Sequence, residues 1–160
     1  MEKRTVLFVD DDEKLLASLR RGLLDEPYNA LFVGSGKEAL KILEQQEVHV
    51  LVTDMRMPEM GGLELLRTAR EKYPRIVRMV LSGYTQVTTI LTAVNQGEIF
   101  RYITKPWKLE EEFKPMIREA IEYYDFQSIR KGPAAQTQPQ DAEKTIGVGP
   151  PASGGQVDGG

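Results

Sequence analysis

The chain has 160 residues, a formal net charge of −3 and no cysteine. This length allows one domain with a buried core, and no apolar run approaches the roughly 20 residues that cross a bilayer. The composition excludes disulfides, thiolate zinc sites and, with a single histidine, multi-histidine metal sites, and the small negative charge gives no reason to expect nucleic-acid binding.

Apolar runs alternate with segments of helical periodicity along most of the chain. The first run, Val6–Val9, is followed by leucines at helical spacing up to Leu24, with Asp12 as the predicted N-cap. In chain order, the predicted elements are a strand at 6–9, a helix at 13–24, a strand at 30–33, a helix that begins at 35–36, a strand at 49–53, a helix at 62–73, a strand at 76–81, a helix at 87–95, a strand at 99–104 and a last helix from after 107 to about 130.

Two residues affect how the last helices begin and end. Gly97 follows the fourth helix and is its predicted C′ residue. Pro115 lies inside the last predicted helix, where it removes a hydrogen bond and clashes with the preceding turn. We therefore expect that helix either to start near Lys114 or to be kinked there.

Five strand–helix repeats predict an α/β fold with a doubly wound, five-stranded parallel sheet in the order 2-1-3-4-5. The segment from Met1 to Thr5 leads into an apolar run shorter than the roughly 7–15 residues of a signal peptide, so we expect a cytoplasmic protein. Residues 1–130 form the predicted domain. Residues 131–160, rich in glycine and proline, are predicted to be a disordered tail or a truncated linker.

Chemically active side chains follow four of the predicted strands. Asp10 and Asp11 end the first strand, Asp54 the third, Ser82 the fourth and Lys105 the fifth. Ligands of open α/β sheets bind at this carboxyl edge, and strands one and three are neighbours in the predicted order. Three carboxylates so close together repel one another unless a cation compensates them. Mg²⁺, which takes oxygen ligands, fits this set.

A carboxylate beside a metal can accept a phosphoryl group. Asp54 is the candidate nucleophile and, with Asp11, a direct metal ligand, while Asp10 acts through water. The backbone carbonyl of Arg56 is a further candidate metal ligand. Lys105 and the Ser82 hydroxyl would contact the phosphoryl oxygens, and a cis peptide before Pro106 would aim the lysine.

These residues lie in motifs that closely resemble those of the receiver domain of two-component response regulators. The motifs are Val9-Asp10-Asp11, the segment 54–62 that begins with Asp54, Ser82-Gly83-Tyr84 and the segment 102–107 that ends in Lys105-Pro106-Trp107, and the similarity covers about residues 4–128. The resemblance implies a flavodoxin-like fold, Mg²⁺-dependent phosphorylation of Asp54 by a histidine kinase or phosphotransfer protein, and hydrolysis of the aspartyl phosphate.

The resemblance also implies a conformational switch. Ser82 would move toward the phosphate and Tyr102 would turn inward, which changes the surface of helix four, strand five and helix five. A downstream protein or output domain would bind there, with Phe100 and Trp107 nearby, and the same surface could form a homodimer. Neither nucleic-acid nor membrane binding is expected from this chain.

Other interpretations remain open at this stage. Asp10 and Asp11 could only cap the first helix, and Tyr102 could be a static core residue. His49 is predicted to be structural. The chain could also be a degenerate receiver that binds partners without phosphate. A flavodoxin is disfavoured by the aspartates after strand one, and an aspartyl-phosphate phosphatase by Arg56 in place of a second acid.

Overall fold

The computed structural model of the protein describes residues 3–83 and 86–131. Tyr84 of the third motif and nearly all of the predicted tail lie outside these residues. The elements are β1 (Thr5–Val9), α1 (Glu13–Gly22), β2 (Asn29–Val33), α2 (Gly36–Gln45), β3 (Val50–Asp54), α3 (Gly62–Lys72), β4 (Val77–Ser82), α4 (Val87–Asn95), β5 (Arg101–Thr104), a π-helical turn (Leu109–Phe113) and α5 (Lys114–Lys131). Within the described ranges, no helix is long and apolar enough to cross a membrane.

The five strands form one parallel sheet in the order β2-β1-β3-β4-β5, which confirms the predicted fold class and strand order. β1 pairs on one side with β2 and on the other with β3, so that Val9 lies opposite both Val33 and Thr53. Because all the strands are parallel, their last residues lie at the same edge. The ends of β1 and β3 are therefore direct neighbours.

Two apolar layers cover the two faces of the sheet. Val6 and Phe8 of β1 pack with Phe113 of the π turn and Ile117 of α5 on one face. The alternate residues of β1 pack on the other face against side chains of α2, α3 and α4, among them Ala39, Leu66 and Ile90. Side chains alternate across a strand, so a sheet covered on both faces needs the continuous apolar runs found in the sequence.

The chain divides into two compact units, Met1–Tyr124 and Asp125–Gly160. The first contains the whole sheet. Of the second, the structure describes residues 125–131, which are the helical end of α5. The proposed domain boundary at residue 130 therefore stays a prediction.

One feature of the first helix was predicted wrongly. α1 ends at Gly22, two residues earlier than its leucine pattern indicates. Leu23 is still buried, whereas the Leu24 side chain is 80% exposed. The repeat of leucines continues past the helix because Gly22, a poor helix former, lets the chain leave the helical path.

The last helix begins at Lys114, as one of the two alternatives for Pro115 required. A π turn precedes it, in which the Phe113 amide donates to the Lys108 carbonyl at 3.0 Å, five residues back. Pro115 is then the second residue of the α-helix proper, where the missing amide proton costs least. The wider π turn supplies the adjustment that an uninterrupted α-helix would need at this proline.

Candidate functional site

Three carboxylates meet at the carboxyl ends of β1 and β3. One oxygen each from Asp10, Asp11 and Asp54 lies within 4.8 Å of the others. Asp10 is 1% exposed, Asp54 is half-buried and Asp11 is exposed to solvent. The strand order brings Asp54 to the two aspartates that follow β1, which are more than forty positions earlier in the sequence.

Lys105 joins this cluster from the end of β5. Its Nζ donates to Asp10 Oδ2 at 3.0 Å and to Asp54 Oδ1 at 2.9 Å. Its side chain is 31% exposed. The structure therefore brings together the three acids and the ammonium that the sequence analysis singled out, with the ammonium between two of the acids.

Burial and charge act on the protonation of this site in opposite directions. Burial raises the pKa of Asp10 above its usual range, although hydrogen bonds from the Asp12 amide and the Lys105 ammonium oppose the rise. For Lys105, burial lowers the pKa, but hydrogen bonds to Asp54 and Asp10 outweigh it, so that its pKa is raised. Lys105 is thus held as a cation, whereas ionised Asp10 is costly to bury.

Backbone contacts fix the positions of the cluster. The Asp12 amide donates to Asp10 Oδ1 at 2.9 Å, while Asp12 Oδ1 accepts from Lys14 and Leu15 as the N-cap of α1. This N-cap confirms the prediction for Asp12. Asp10 is thus held at one oxygen by the Asp12 amide, while its other oxygen accepts from Lys105.

The backbone of Lys105 is tied to the neighbouring strand β4. Its amide donates to the Ser82 carbonyl at 2.7 Å, so the end of β5 is tied to the end of β4. The peptide bond between Lys105 and Pro106 is cis, the isomer that the sequence analysis considered for this turn.

Ser82 lies buried at the end of β4, 2% exposed. Its hydroxyl donates to the Gly83 carbonyl at 2.8 Å, and the Gln86 side-chain oxygen lies 3.5 Å away. The hydroxyl therefore has local partners. The contribution of Ser82 to phosphate binding stays a prediction, and so does that of the Arg56 carbonyl to the metal.

The aromatic residues of the predicted switch surface are half-buried. Tyr102 packs against the apolar layer that contains Ile90 of α4. Trp107 contacts Phe113 with ring centroids 4.8 Å apart, and Phe100 stacks on Tyr123 at 4.5 Å. These rings thus divide their surfaces between the core and solvent, and their predicted roles remain to be tested.

His49, predicted to be structural, is 4% exposed at the start of β3. Its Nδ1 accepts the Thr5 amide at 2.9 Å, and its ring meets Tyr124 edge-on at 4.9 Å. This residue therefore serves the fold at the sheet edge opposite to the carboxylates.

The carboxylate cluster has the right chemistry for Mg²⁺. Its donors are hard oxygens from three side chains, one buried and one open to solvent, so an ion bound there would keep water ligands. The close approach of three acids also creates a need for positive charge, which Lys105 meets for two of them. Asp10, Asp11 and Asp54 are the residues that would hold the ion.

The sequence analysis missed two residues, Gly62 and Arg78, that help to position the backbone around the site. A Cβ at Gly62 would collide with the Asp54 carbonyl oxygen, so only glycine lets α3 start beside the end of β3. Arg78, the second residue of β4, binds backbone carbonyls of the turn that precedes β5. The signals were present, namely a glycine pair before a helix and one cation inside an apolar strand, but neither identifies its partner.

Comparison with known proteins agrees with this geometry. The family model for the response regulator receiver domain matches residues 6–118. The hydrogenase transcriptional regulatory protein HoxA of Cupriavidus necator is 42% identical over 121 residues, which are 76% of this chain and 25% of that protein. The chain thus spans about a quarter of that relative's length.

Solved structures share the fold. The crystal structure of adenylate cyclase from Rhodopirellula baltica superposes with a TM-score of 0.77 at 34% identity, covering 81% of this chain and 96% of that one. A CheY-like response regulator receiver domain protein from Methanospirillum hungatei gives a TM-score of 0.72 at 25% identity, with 79% and 99% covered.

Proposed function

The chain belongs to the response regulator receiver domain family, and we propose that Asp54 is the residue on which it accepts a phosphoryl group. Members of this family are signalling switches of two-component systems rather than classical enzymes. The observation that carries the proposal is the meeting of Asp54 with two further acids and the Lys105 ammonium at one edge of the sheet.

In the proposed transfer, an Asp54 carboxylate oxygen forms a bond to phosphorus while the bond from phosphorus to the donor's histidine nitrogen breaks. The donor leaves as an imidazole that takes a proton from solvent, and Asp54 becomes an acyl phosphate. When the proton from solvent is counted among the reactants, atoms and charge balance. Such a transfer depends mostly on positioning and on stabilisation of charge.

Lys105 supplies the fixed positive charge of this site. Its Nζ is already 2.9 Å from Asp54 Oδ1, so a small movement would let it contact a phosphoryl oxygen on that carboxylate. Mg²⁺ bound by Asp10, Asp11 and Asp54 would neutralise further phosphoryl charge. Ser82 would give up its hydrogen bond to the Gly83 carbonyl and donate to the phosphoryl group instead.

Intact mass measurement tests this proposal. Incubation with Mg²⁺ and acetyl phosphate should add the mass of one phosphoryl group to the wild-type chain and none to Asp54→Asn. Glu71→Gln, the same acid-to-amide change at an exposed position of α3, should take up phosphate like the wild type. Wild-type protein that stays unmodified would instead identify a degenerate receiver, which binds partners without phosphate.

Partners follow from this chemistry. The phosphoryl donor would be a sensor histidine kinase or a phosphotransfer protein. The similarity to a transcriptional regulatory protein supports a downstream partner or output domain outside this chain, and it also supports a cytoplasmic location, where bacterial DNA lies. Residues 131–160, nearly all of which lie outside the described residues, would serve as a tail or as a linker to such a domain.

The surface of α4, β5 and α5 is the proposed docking site, for a downstream partner or for a second copy of the chain. Half-buried aromatic rings, which can change their exposure when the switch operates, support this choice. Replacement of Phe100 and Trp107 by alanine should weaken partner binding by roughly tenfold or more, since large aromatic residues dominate interfaces. Unchanged affinity, measured by titration calorimetry on folded variants, would refute the assignment.

A further inference from the structure

Thr53, the residue before Asp54, places a hydroxyl in the core of the protein. The residue is fully buried, and its neighbours in the adjacent strands are Val9 of β1 and Val80 of β4. Valine has almost the same shape as threonine and would fit this position without a polar atom. Packing therefore does not explain the hydroxyl, since a buried polar group is costly unless it finds a hydrogen-bond partner.

The Thr53 hydroxyl finds its partners at the end of the strand. Its Oγ1 donates to the Asp54 carbonyl at 3.0 Å, and the Met57 sulfur lies 3.9 Å away as a weaker acceptor. Met57 is 9% exposed and belongs to the apolar layer of α2 and α3. One hydroxyl thus contacts both the last residue of β3 and the loop of residues 55–61 that leads to α3.

The first residue of α3 restrains the same segment. The Asp54 carbonyl lies too close to Gly62 for any side chain at that position, and the Gly62 amide donates to the Met55 carbonyl at 2.9 Å. The two carbonyls that end the strand and begin the loop are therefore each held by a hydrogen bond, the first from Thr53 and the second from Gly62. These bonds orient the backbone that carries the Asp54 carboxylate.

The loop that these contacts close is strained. The Met60 amide donates to the Pro58 carbonyl at 2.7 Å, and Glu59 between them has a φ of 69°. A three-residue turn with this φ is rare and is unfavourable for residues other than glycine. Gly97, the predicted C′ residue of α4, has a similar φ of 76° without strain because it has no Cβ. Strain of this kind persists only where surrounding contacts enforce it.

Methionine side chains hold the strained turn at both ends. Met57 comes just before the turn, and Met60 closes it against α2, where a Cβ on Gly36 would approach the Met60 sulfur to 2.8 Å. Met60 is partly buried in the same apolar layer as Met57. Because Thr53 contacts Met57, its hydroxyl lies where the strained loop joins β3.

From these contacts we propose that the Thr53 hydroxyl positions Asp54 for phosphoryl transfer. It holds the Asp54 backbone and the loop that follows, so that the Asp54 carboxylate meets the Lys105 ammonium. Thr53 does not touch the reacting atoms and is therefore a positioning residue rather than a catalytic one. The inference rests on the proposed phosphorylation of Asp54, whereas the hydrogen bonds of the loop are a property of the unphosphorylated protein.

Two substitutions separate the hydroxyl from the bulk of the side chain. Thr53→Val keeps the shape and removes the donor, whereas Thr53→Ser keeps the donor and removes a buried methyl group. Thr53→Val should slow phosphate uptake from acetyl phosphate with Mg²⁺ by roughly tenfold, because small displacements of a reacting group are costly. Thr53→Ser should restore uptake to within about threefold of the wild type. Intact mass recorded over time measures both rates.

Urea unfolding of the same variants distinguishes positioning from a role in stability alone. Both variants should be less stable than the wild type, Thr53→Val through a lost hydrogen bond and Thr53→Ser through a cavity in the core. A role in stability alone would therefore affect both uptake rates alike. Only a positioning role predicts slow uptake in the valine variant and rescue by serine.

Amide hydrogen exchange by NMR tests the loop contact without Mg²⁺ or phosphodonor. The Gly62 amide, which closes the loop on Met55, should exchange roughly fivefold faster in Thr53→Val and within about twofold of the wild type in Thr53→Ser. The matched control is Thr68→Val, which removes the same kind of bond, from a threonine hydroxyl to the Glu64 carbonyl at 3.1 Å within α3. It should behave like the wild type in uptake and in exchange.

Should Thr53→Val not fold, Thr53→Cys replaces it, because a thiol is a much weaker donor than the serine hydroxyl. The cysteine variant should then take up phosphate more slowly than Thr53→Ser and exchange faster at Gly62. Wild-type uptake or wild-type exchange in the variant that lacks the donor would overturn the inference, and so would equal slowing with serine. A wild-type chain that accepts no phosphate refutes the proposed function and with it the positioning role, and this outcome is visible before any variant is made.

Discussion

Lys105 and Asp54 are 51 positions apart in the sequence, yet the Lys105 ammonium lies 2.9 Å from a carboxylate oxygen of Asp54. The same ammonium lies 3.0 Å from Asp10. One cation therefore compensates two acids that parallel pairing of β1 and β3 forces together. This arrangement gives the site its charge balance and makes its stability depend on which cation is present.

Removal of this cation should destabilise the fold in a way that Mg²⁺ reverses. We expect Lys105→Met to lower the free energy of unfolding by about 2 kcal/mol in EDTA, because Asp10 and Asp54 lose a charged hydrogen-bond partner. Mg²⁺ should recover most of the loss. Urea unfolding with and without Mg²⁺ measures both values, and a loss that Mg²⁺ leaves unchanged would contradict metal binding at these acids.

Replacement of Asp10 by asparagine should increase the stability of the fold and reduce phosphate uptake. Burial raises the pKa of this carboxyl, so its ionised form is unfavourable in the folded protein. Asp10→Asn keeps an oxygen for the Asp12 amide and should raise the free energy of unfolding by about 1 kcal/mol at neutral pH in EDTA. Phosphate uptake with Mg²⁺ should fall strongly, as intact mass would show. A less stable variant would contradict the assigned cost of burial.

Gly62 and its neighbour Gly61 should differ in how much alanine destabilises the fold. A Cβ at Gly62 would collide with the Asp54 carbonyl, whereas a Cβ at Gly61 would approach the Met55 carbonyl only to 3.4 Å. Gly62→Ala should cost about 2 kcal/mol or more and slow phosphate uptake, because β3 or α3 must shift. Gly61→Ala should change both by little. Equal effects in thermal unfolding would show that the close approach is unimportant.

Loss of the Tyr28 hydroxyl should increase the stability of the fold. The residue is 5% exposed, and its hydroxyl lacks a hydrogen-bond partner within the described residues. Tyr28→Phe should raise the free energy of unfolding by about 1 kcal/mol at neutral pH, since a buried unpaired polar group is costly. Tyr73→Phe, at a half-buried position, should have little effect.

The gain at Tyr28 should grow in alkali. Burial raises the pKa of this phenol, and the Glu26 charge adds to the rise. The folded protein therefore keeps the phenol proton at a pH where the unfolded chain has released it. The free energy of unfolding of the wild type thus falls as pH rises above the ordinary pKa of 10.0. The advantage of Tyr28→Phe should then widen with pH in urea unfolding, and a constant difference would contradict the assigned shift.

The sequence predicted the parts of this molecule that depend on period and order. Apolar runs covered on both sides and alternating with helical patterns determine the sheet, and parallel order then determines that Asp10, Asp11, Asp54 and Lys105 end at one edge. These inferences need only the backbone path.

Contacts that depend on side-chain reach could not be predicted. Nothing in the local sequence of Arg78 indicates that it bonds to carbonyls twenty positions later. The exposure of Leu24 depends on where α1 ends, and the lack of a partner for the Tyr28 hydroxyl within the described residues depends on how the core packs around it. Such details follow from packing in three dimensions, and a pattern along the chain does not specify which distant residues come into contact.

The way in which Arg78 grips the turn after α4 has an evolutionary consequence. Four of its acceptors are peptide oxygens, which every amino acid carries. Substitutions of the outward-facing side chains of that turn can therefore accumulate and change which partner binds there, while the hydrogen bonds from Arg78 to the backbone are kept. Paralogues that have different signalling partners would then keep this arginine and differ in the side chains of the turn.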